Sequence, residues 1–200
     1  MVTSALAGCA SELAGPSSVG PGAPVIVPGS PGGPGRTAQP GESLPARDWS
    51  AVAADVRFAE GMIPHHRQAM EMTGLVEARA KAEGVRAVAR QIALTQRPEI
   101  IVMRDWLGAL GRAVPDHGSH ASGGYGMASL KDMNALRAAR GAAFDRMFLQ
   151  LMIRHHEGAM RMAGEELSGG QDQRMLLMAK DVYSGQGIEV ARMKELLATI

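Results

Sequence analysis

Two adjacent histidines flanked by methionines occur twice in the sequence, at Met62-Ile63-Pro64-His65-His66 and at Met152-Ile153-Arg154-His155-His156. Thioether sulfur is a soft donor that selects Cu(I), whereas imidazole binds copper, zinc, iron or nickel. The Irving–Williams order favours copper at sites that mix such donors. The pattern therefore predicts a metal site with copper as its ion, Cu(I) being favoured over zinc or iron.

Helical geometry places these donors on one broad face. At about 100° per residue, Met62 and His66 lie about 40° apart, and Met70 lies about 40° further round. His65 falls about 60° to the other side of Met62. His66 with Met62 and Met70 is therefore the more coherent ligand group, and we expect His65 to ligate from the rim or to bind a second ion.

A second segment supplies one carboxylate and one more thioether to each half of the protein. Gln96, Glu99 and Met103 lie within about 60° of one another on a helix, so they can face inward together. Glu99 could ligate the metal or orient an imidazole N–H from behind. The candidate metal ligands are Met62, His65, His66, Met70, Glu99, Met103, Met152, His155, His156, Met160, Glu189 and Met193.

A simpler interpretation exists for each of these residues taken singly. Methionine at helical spacing commonly fills irregular gaps in a core, and an inward carboxylate can pair with arginine or histidine. We nevertheless favour the metal site, because the complete His-His pair with its methionines occurs twice.

An internal repeat at a constant offset of 90 residues positions these donors. Asp55 recurs as Asp145, and the register continues through Gln96 and Gln186 to Leu107 and Leu197. Two equal helical hairpins, at about 48–111 and 138–200, predict an all-α fold, an antiparallel four-helix bundle of ferritin-like type. Asp55 and Asp145 are interpreted either as structural residues that cap helices or pair across the bundle, or as residues that support the metal ligands from behind.

Helical periodicity and glycine punctuation set the predicted elements. We predict helices over about 49–82, 85–110, 130–167 and 171–198, with 112–129 as the crossover. Gly141 is a candidate break near the start of the third helix, and Pro64 and Pro98 predict kinks in the first two. His117 and His120 in the crossover could form an accessory metal-capture patch or simply be solvated.

The first 47 residues differ in composition from the remainder. They are rich in Gly, Pro and Ser, which predicts a disordered linker before a bundle domain over 48–200. Leu6-Ala7-Gly8-Cys9 resembles a truncated lipoprotein signal, so Cys9 could carry a lipid anchor, the one membrane association that we expect. The formal net charge of +1 argues against a nucleic-acid partner.

The Met-Ile-x-His-His motifs at 62–66 and 152–156, continued by Gln96, Glu99 and Met103, resemble the domain-of-unknown-function-305 family of bacterial exported proteins. The resemblance covers about residues 48–198. It implies a ferritin-like four-helix bundle located outside the cytoplasm, and copper binding as found in some members. The crossover contains fewer Met and His residues than in some relatives, which disfavours high-capacity loading.

These observations predict an extracytoplasmic protein that captures or buffers copper, and not an enzyme. A redox-active metalloenzyme of ferritin-like type is the first alternative, although di-iron sites use a Glu-x-x-His motif that this sequence lacks. A metal-free helical adaptor is the second. Hydrolytic chemistry has no support, because no nucleophile motif occurs.

Overall fold

The computed structural model describes residues 24–27, 34–42, 51–115 and 124–200. The chain divides into two units, Met1–Asp48 and Trp49–Ile200. In the first unit, a short strand β1 (Ile26–Val27) pairs antiparallel with β2 (Arg36–Thr37). The predicted lipid anchor at Cys9 and the histidines of the crossover, His117 and His120, lie outside the described residues.

The second unit is all-α, as the sequence predicts. Its helices are α1 (Ala53–Gly74), α2 (Val76–Arg79), α3 (Glu83–Ala109), α4 (Leu130–Ala138), α5 (Gly141–Gly169) and α6 (Gln173–Thr199), with a 3-10 turn at Gly124–Gly126. Among the described residues, no helix is long and apolar enough to cross a membrane.

The predicted helix boundaries agree with these bounds except in the first and third helices. The expectation of one helix over 49–82 is wrong at its C-terminal end: the Leu75 amide bonds back to the Met72 carbonyl, and this tighter turn separates α1 from α2. The break expected at Gly141 is confirmed, because this residue has a φ of +61° and begins α5 after a separate α4. Helices α1 and α3 both continue through their prolines, Pro64 and Pro98.

The four long helices pack as two hairpins, α1 against α3 and α5 against α6, joined by contacts of α1 with α5 and of α3 with α6. Two apolar clusters form the core. Along α1, the buried apolar residues between 58 and 63 belong to one cluster, and Ala69 and Met72 belong to the other. Along α5 the order is reversed: the buried apolar residues between 144 and 153 belong to the second cluster, and Ala159, Met162 and Ala163 belong to the first. The histidine pairs therefore lie between the two clusters on both helices.

Two buried aspartates tie the hairpins together reciprocally. Asp55 of α1 accepts hydrogen bonds from the amides of Gln171 and Asp172, at 2.9 and 3.0 Å, where α6 begins. Asp145 of α5 accepts from the amides that precede α3, those of residues 81 and 82, at 3.0 and 2.8 Å. The two aspartates are 90 positions apart, and so are the residues that donate to them. These hydrogen bonds therefore follow the internal repeat. Both aspartates are structural, as the sequence suggested.

Candidate metal centre

The second histidine of each pair is held by the glutamate of its own hairpin. His66 Nε2 lies 2.8 Å from Glu99 Oε2, and His156 Nε2 lies 2.9 Å from Glu189 Oε2. Because a carboxylate only accepts, each Nε2 carries the proton and donates, which leaves the lone pair on Nδ1. Both imidazoles are fully buried and both glutamates are half-buried. The two glutamates therefore orient the rings, one of the two roles considered from the sequence.

The first histidines of the two pairs lie against each other. The rings of His65 and His155 have centroids 3.7 Å apart and are tilted by 34°. His65 is 2% exposed, so the expectation that it lies at the rim is wrong. The reason is that α5 packs against α1 and covers this side of the helix. The four imidazoles thus form one cluster between the hairpins.

Tyr125 distinguishes the two first histidines. His65 Nε2 donates to the Tyr125 carbonyl oxygen at 2.9 Å, whereas both ring nitrogens of His155 are buried without a hydrogen-bond partner. Tyr125 has a φ of +51°, in the left-handed region that side chains other than glycine rarely adopt. Such strain persists only where the surroundings impose it, and here it directs a backbone carbonyl at an imidazole.

Two contacts impose that conformation on the turn. Gly158 of α5 permits a close approach, since a Cβ there would lie 1.6 Å from the Tyr125 oxygen. The Gln68 side chain of α1 accepts from the Ala128 amide at 2.7 Å and donates to the Ala128 carbonyl at 2.9 Å. Gln68 and Gly158 are equivalent positions of the repeat, so the crossover is fastened at one point on each hairpin.

Burial favours the neutral form of three of these imidazoles, those of His65, His155 and His156. Desolvation lowers the pKa of His65 to about 3, even though its bond to Tyr125 acts in the opposite direction. Desolvation, followed by the neighbouring histidines, holds the pKa of His155 well below its ordinary value. Desolvation also lowers the pKa of His156, against the opposing effect of Glu189. Neutral rings keep a free lone pair, which is the form that binds a metal.

The predicted methionine ligands divide into two kinds. Met62 and Met103 are fully buried in one apolar cluster, and Met152 and Met193 are fully buried in the other. Met70 and Met160 are half-buried at the cluster edges. Met160 lies against α6, with its methyl 3.5 Å from where a Cβ of Gly187 would stand. Thioethers therefore lie on both sides of the histidine cluster along the helices.

Sequence reasoning did not assign a role to two amides. The side chains of Gln96 and Gln186 are buried, and neither their nitrogens nor their oxygens have a hydrogen-bond partner. Each lies one helical turn before Glu99 or Glu189 and is repeated at the same offset. Recurrence of a polar residue at an inward position was the signal that could have identified both. No comparable signal pointed to Tyr125, because its contribution comes from the backbone.

The donor set suits a soft metal ion. Among the described residues, no three side chains of His, Cys, Asp or Glu are grouped so that they could hold a metal without help from other donors. Five imidazole nitrogens are nevertheless buried without hydrogen-bond partners, those being Nδ1 of His65, His66 and His156 and both nitrogens of His155. Native proteins contain few such atoms, and an ion is one explanation for each. Neutral imidazole together with thioether sulfur is a donor set suited to copper.

Comparisons with known proteins place the chain among relatives of one family. The family model described as "Domain of unknown function (DUF305)" matches residues 55–197. A DUF305 fragment from Deinococcus radiodurans is 30% identical, with a TM-score of 0.69, over 75% of this chain and 99% of that one. A predicted secreted DUF305 protein from Streptomyces coelicolor is 31% identical, with a TM-score of 0.67, over 73% and 93%.

CopM in its Cu(II)-bound form is 31% identical, with a TM-score of 0.65, over 72% of this chain and 96% of that one. CopM structures in Cu(I)-bound and Ag-bound forms match as well. No curated protein matches the sequence. The family model covers most of the two hairpins, including both histidine pairs and both glutamates. The chain therefore belongs to the domain-of-unknown-function-305 (DUF305) family.

Proposed function

We propose that this protein binds copper outside the cytoplasm and captures or buffers it without catalysing a reaction. The observation that carries the proposal is the set of buried polar side chains without hydrogen-bond partners. Apart from Glu166, those among the described residues form three repeat-related pairs: His65 with His155, His66 with His156, and Gln96 with Gln186. A buried polar atom without a partner costs about 1–3 kcal/mol. A bound ion would offset that cost.

We assign the metal-binding role to the twelve candidate residues, with His66, Met62 and Met70 as the principal group of one repeat. His156, Met152 and Met160 are the equivalent group of the other repeat. Glu99 and Glu189 act in this proposal by fixing the ring orientation and leaving Nδ1 toward the ion. Supporting this assignment, the Nδ1 atoms of both second histidines are buried and unpartnered.

Copper is supported by two independent arguments. Thioether donors favour Cu(I) over the harder divalent ions, and the similar protein CopM has been solved with Cu(I), Cu(II) and Ag bound. Silver is the usual soft analogue of Cu(I), so the three forms together match a Met/His donor set. Zinc and iron are the less favoured ions.

The proposal includes the architecture and the location. We assign the helical unit to the ferritin-like four-helix bundles, on the basis of the two equal hairpins and their reciprocal caps. We assign the protein to the cell surface or the exterior, because a similar DUF305 protein is a predicted secreted protein and because the lipobox-like segment ends at Cys9. The Gly/Pro-rich segment before the helices is proposed as a tether.

The test is a competition titration of the full chain with Cu(I), Cu(II) and Zn(II), using chelators of known affinity. We expect Cu(I) to bind most tightly, and the double variant His66→Ala/His156→Ala to lose at least about tenfold in Cu(I) affinity, as ligand-shell changes typically cause. Retention of wild-type copper affinity by this variant would falsify the proposal.

Methionine variants separate ligands from core packing. Met62→Leu/Met152→Leu should weaken Cu(I) binding, because leucine fills a similar volume but has no sulfur. The matched control is Met175→Leu, since Met175 is equally buried in the cluster of Met62 but is not among the predicted ligands. Equal Cu(I) affinity in both variants would mean that these methionines only pack the core. Turnover of a substrate by the copper-loaded protein would favour a redox enzyme over a buffer.

A further inference from the structure

A cavity of about 370 Å³ opens beside His65, between α1, the C-terminal half of α5 and the Gly124–Gly126 turn. Phe58, Gly61 and Pro64 of α1 line one side, and Met162, Glu165 and Glu166 line the other. The turn contributes Met127. The cavity thus combines two thioethers with carboxylates next to the histidine cluster.

The cavity breaks the repeat. The positions of Gly61, Glu165 and Glu166 are occupied in the other repeat by Leu151, Leu75 and Val76. There the large apolar side chains of Leu151 and Val76 pack in a continuous core, with Leu75 against it. Packing alone would be served by the same residues on both sides, and an apolar core is the more stable choice. At these three positions, one half of a nearly symmetric molecule has space and charge where the other half has apolar side chains.

Glu166 is a buried carboxyl group in the lining of this cavity. Its side chain is 2% exposed, and neither carboxyl oxygen has a hydrogen-bond donor. Burial first, and then the neighbouring Asp55, raise the pKa of Glu166 to about 8, while Arg57 has a smaller opposing effect. Asp55 is itself satisfied by backbone amides and offers no donor unless one of the two carboxyls is protonated. Below pH 8 a proton shared with Asp55 supplies that partner, and a cation bound in the cavity would take its place.

The thioether of Met162 reaches the cavity because Gly61 has no side chain. A Cβ at Gly61 would lie 2.9 Å from the Met162 methyl carbon, closer than ordinary contact. Met162 is buried, whereas Met127 in the turn is half-buried. Neither Met127 nor Met162 is among the candidate ligands predicted from the sequence. The pair thus contributes two soft donors to the lining of one accessible space.

We propose that this cavity is a second site for a soft monovalent cation, Cu(I) or Ag(I), with the sulfurs of Met127 and Met162 as its donors. Among the lining carboxyl groups, Glu60 is paired with Arg112, and Glu166 keeps a proton below its raised pKa of about 8. Glu165 is therefore the carboxylate that attracts the ion, against the positive charge of Arg57 in the same lining. Thioethers then select the soft cation over harder ones. The site lies between solvent and His65, so it stands before the histidine cluster. This inference rests on the proposed copper function and adds a distinct, asymmetric site to it.

The test is an Ag(I) titration of the full chain with ¹³C-labelled methionine methyl groups, followed by NMR. Ag(I) is used because it does not change oxidation state on binding. Single variants Met127→Leu and Met162→Leu each remove one resonance and so assign it. We expect both methyl resonances of the wild type to shift, and the double variant to bind about one Ag(I) fewer per chain. Met72→Leu is the matched control, because Met72 is the repeat equivalent of Met162 and lies in the filled core. It should leave the Ag(I) stoichiometry unchanged.

The outcomes separate this inference from the proposed function. If the resonances of Met62, Met70, Met152 and Met160 shift while that of Met127 stays fixed, the cavity site is wrong and the central copper site stands. If no methionine methyl resonance responds to Ag(I), both proposals are wrong. An unchanged Ag(I) stoichiometry in the folded double variant also overturns the cavity site.

Discussion

The imidazoles of His65 and His155 lie 3.7 Å apart, in a position fully enclosed between α1 and α5. Each ring belongs to a different hairpin, and His65 opposes the charging of His155. The apo protein must therefore keep two neutral imidazoles in contact at the interface between its halves. Because of this pairing, the stability of the fold depends on the protonation of the same imidazoles that we propose to bind copper.

Acid should destabilise the apo protein through these histidines. Their folded pKa values are lowered, so the unfolded chain binds more protons at pH values between about 3 and the ordinary histidine pKa of about 6.5. The stabilising contribution is present above that ordinary value and is lost as the pH falls. Urea unfolding between pH 7 and pH 4 should show a decline that is smaller in His155→Gln. Identical declines in both proteins would contradict this account.

Glu166 should act in the opposite direction. Its pKa is about 8 in the folded state, so the folded chain holds a proton that the unfolded chain releases above about pH 4.5. The associated stability is present at low pH and is lost as the pH rises through 8, at up to about 1.4 kcal/mol per pH unit. Glu166→Gln should therefore be more stable than the wild type at pH 8 and nearly equal to it at pH 5. Glu195→Gln, a change at an exposed position of α6, should show no such difference.

Loss of either buried aspartate should destabilise the fold by about 1–3 kcal/mol, because backbone amides at the start of α3 or α6 lose their acceptor. Asp55→Ala should cost at least as much as Asp145→Ala, since the Val52 amide and the protonated Glu166 also lose their acceptor. Chemical denaturation at pH 7 measures both free energies. Asp181→Ala, at an exposed position of α6, is the control and should change stability little. A smaller cost for Asp55→Ala would show that the pair of Asp55 and Glu166 is repulsive at this pH.

Gly158→Ala should displace the Gly124–Gly126 turn. The added methyl would lie 1.6 Å from the Tyr125 oxygen, which is backbone and cannot rotate away. We expect destabilisation by about 1–3 kcal/mol, typical of overpacking, together with loss of the bond from His65. Faster amide hydrogen exchange at Ala128 would report the loosened turn. Gly164→Ala on the same helix meets nothing within 4 Å and should be neutral, or stabilising by up to about 1 kcal/mol.

The features that could be predicted from the sequence are those that depend on a single helix or on a single hairpin. Periodicity and the repeat were enough to give the helices, the inward faces and the proximity of His66 to Glu99, because both lie within one hairpin. The position of His65 was predicted wrongly, since a helical wheel gives angles about one axis and does not say which side another helix covers. The roles of Tyr125 and Glu166 depend on a crossover turn and on a gap in packing. Neither leaves a periodic signal.

The reciprocal aspartate caps bear on how such a chain arose. Each hairpin carries one carboxylate and one turn that needs a carboxylate, but within a hairpin the two do not meet: Asp55 serves Gln171 and Asp172, and Asp145 serves Lys81 and Ala82. A single hairpin could complete both caps only by pairing with a second copy of itself about a twofold axis. A protein made of one repeat alone would therefore complete its aspartate cap as a homodimer. In a fused chain the two halves can differ. One half carries Gly61 and Glu166 at the cavity, while the other keeps Leu151 and Val76 at the equivalent positions of the core.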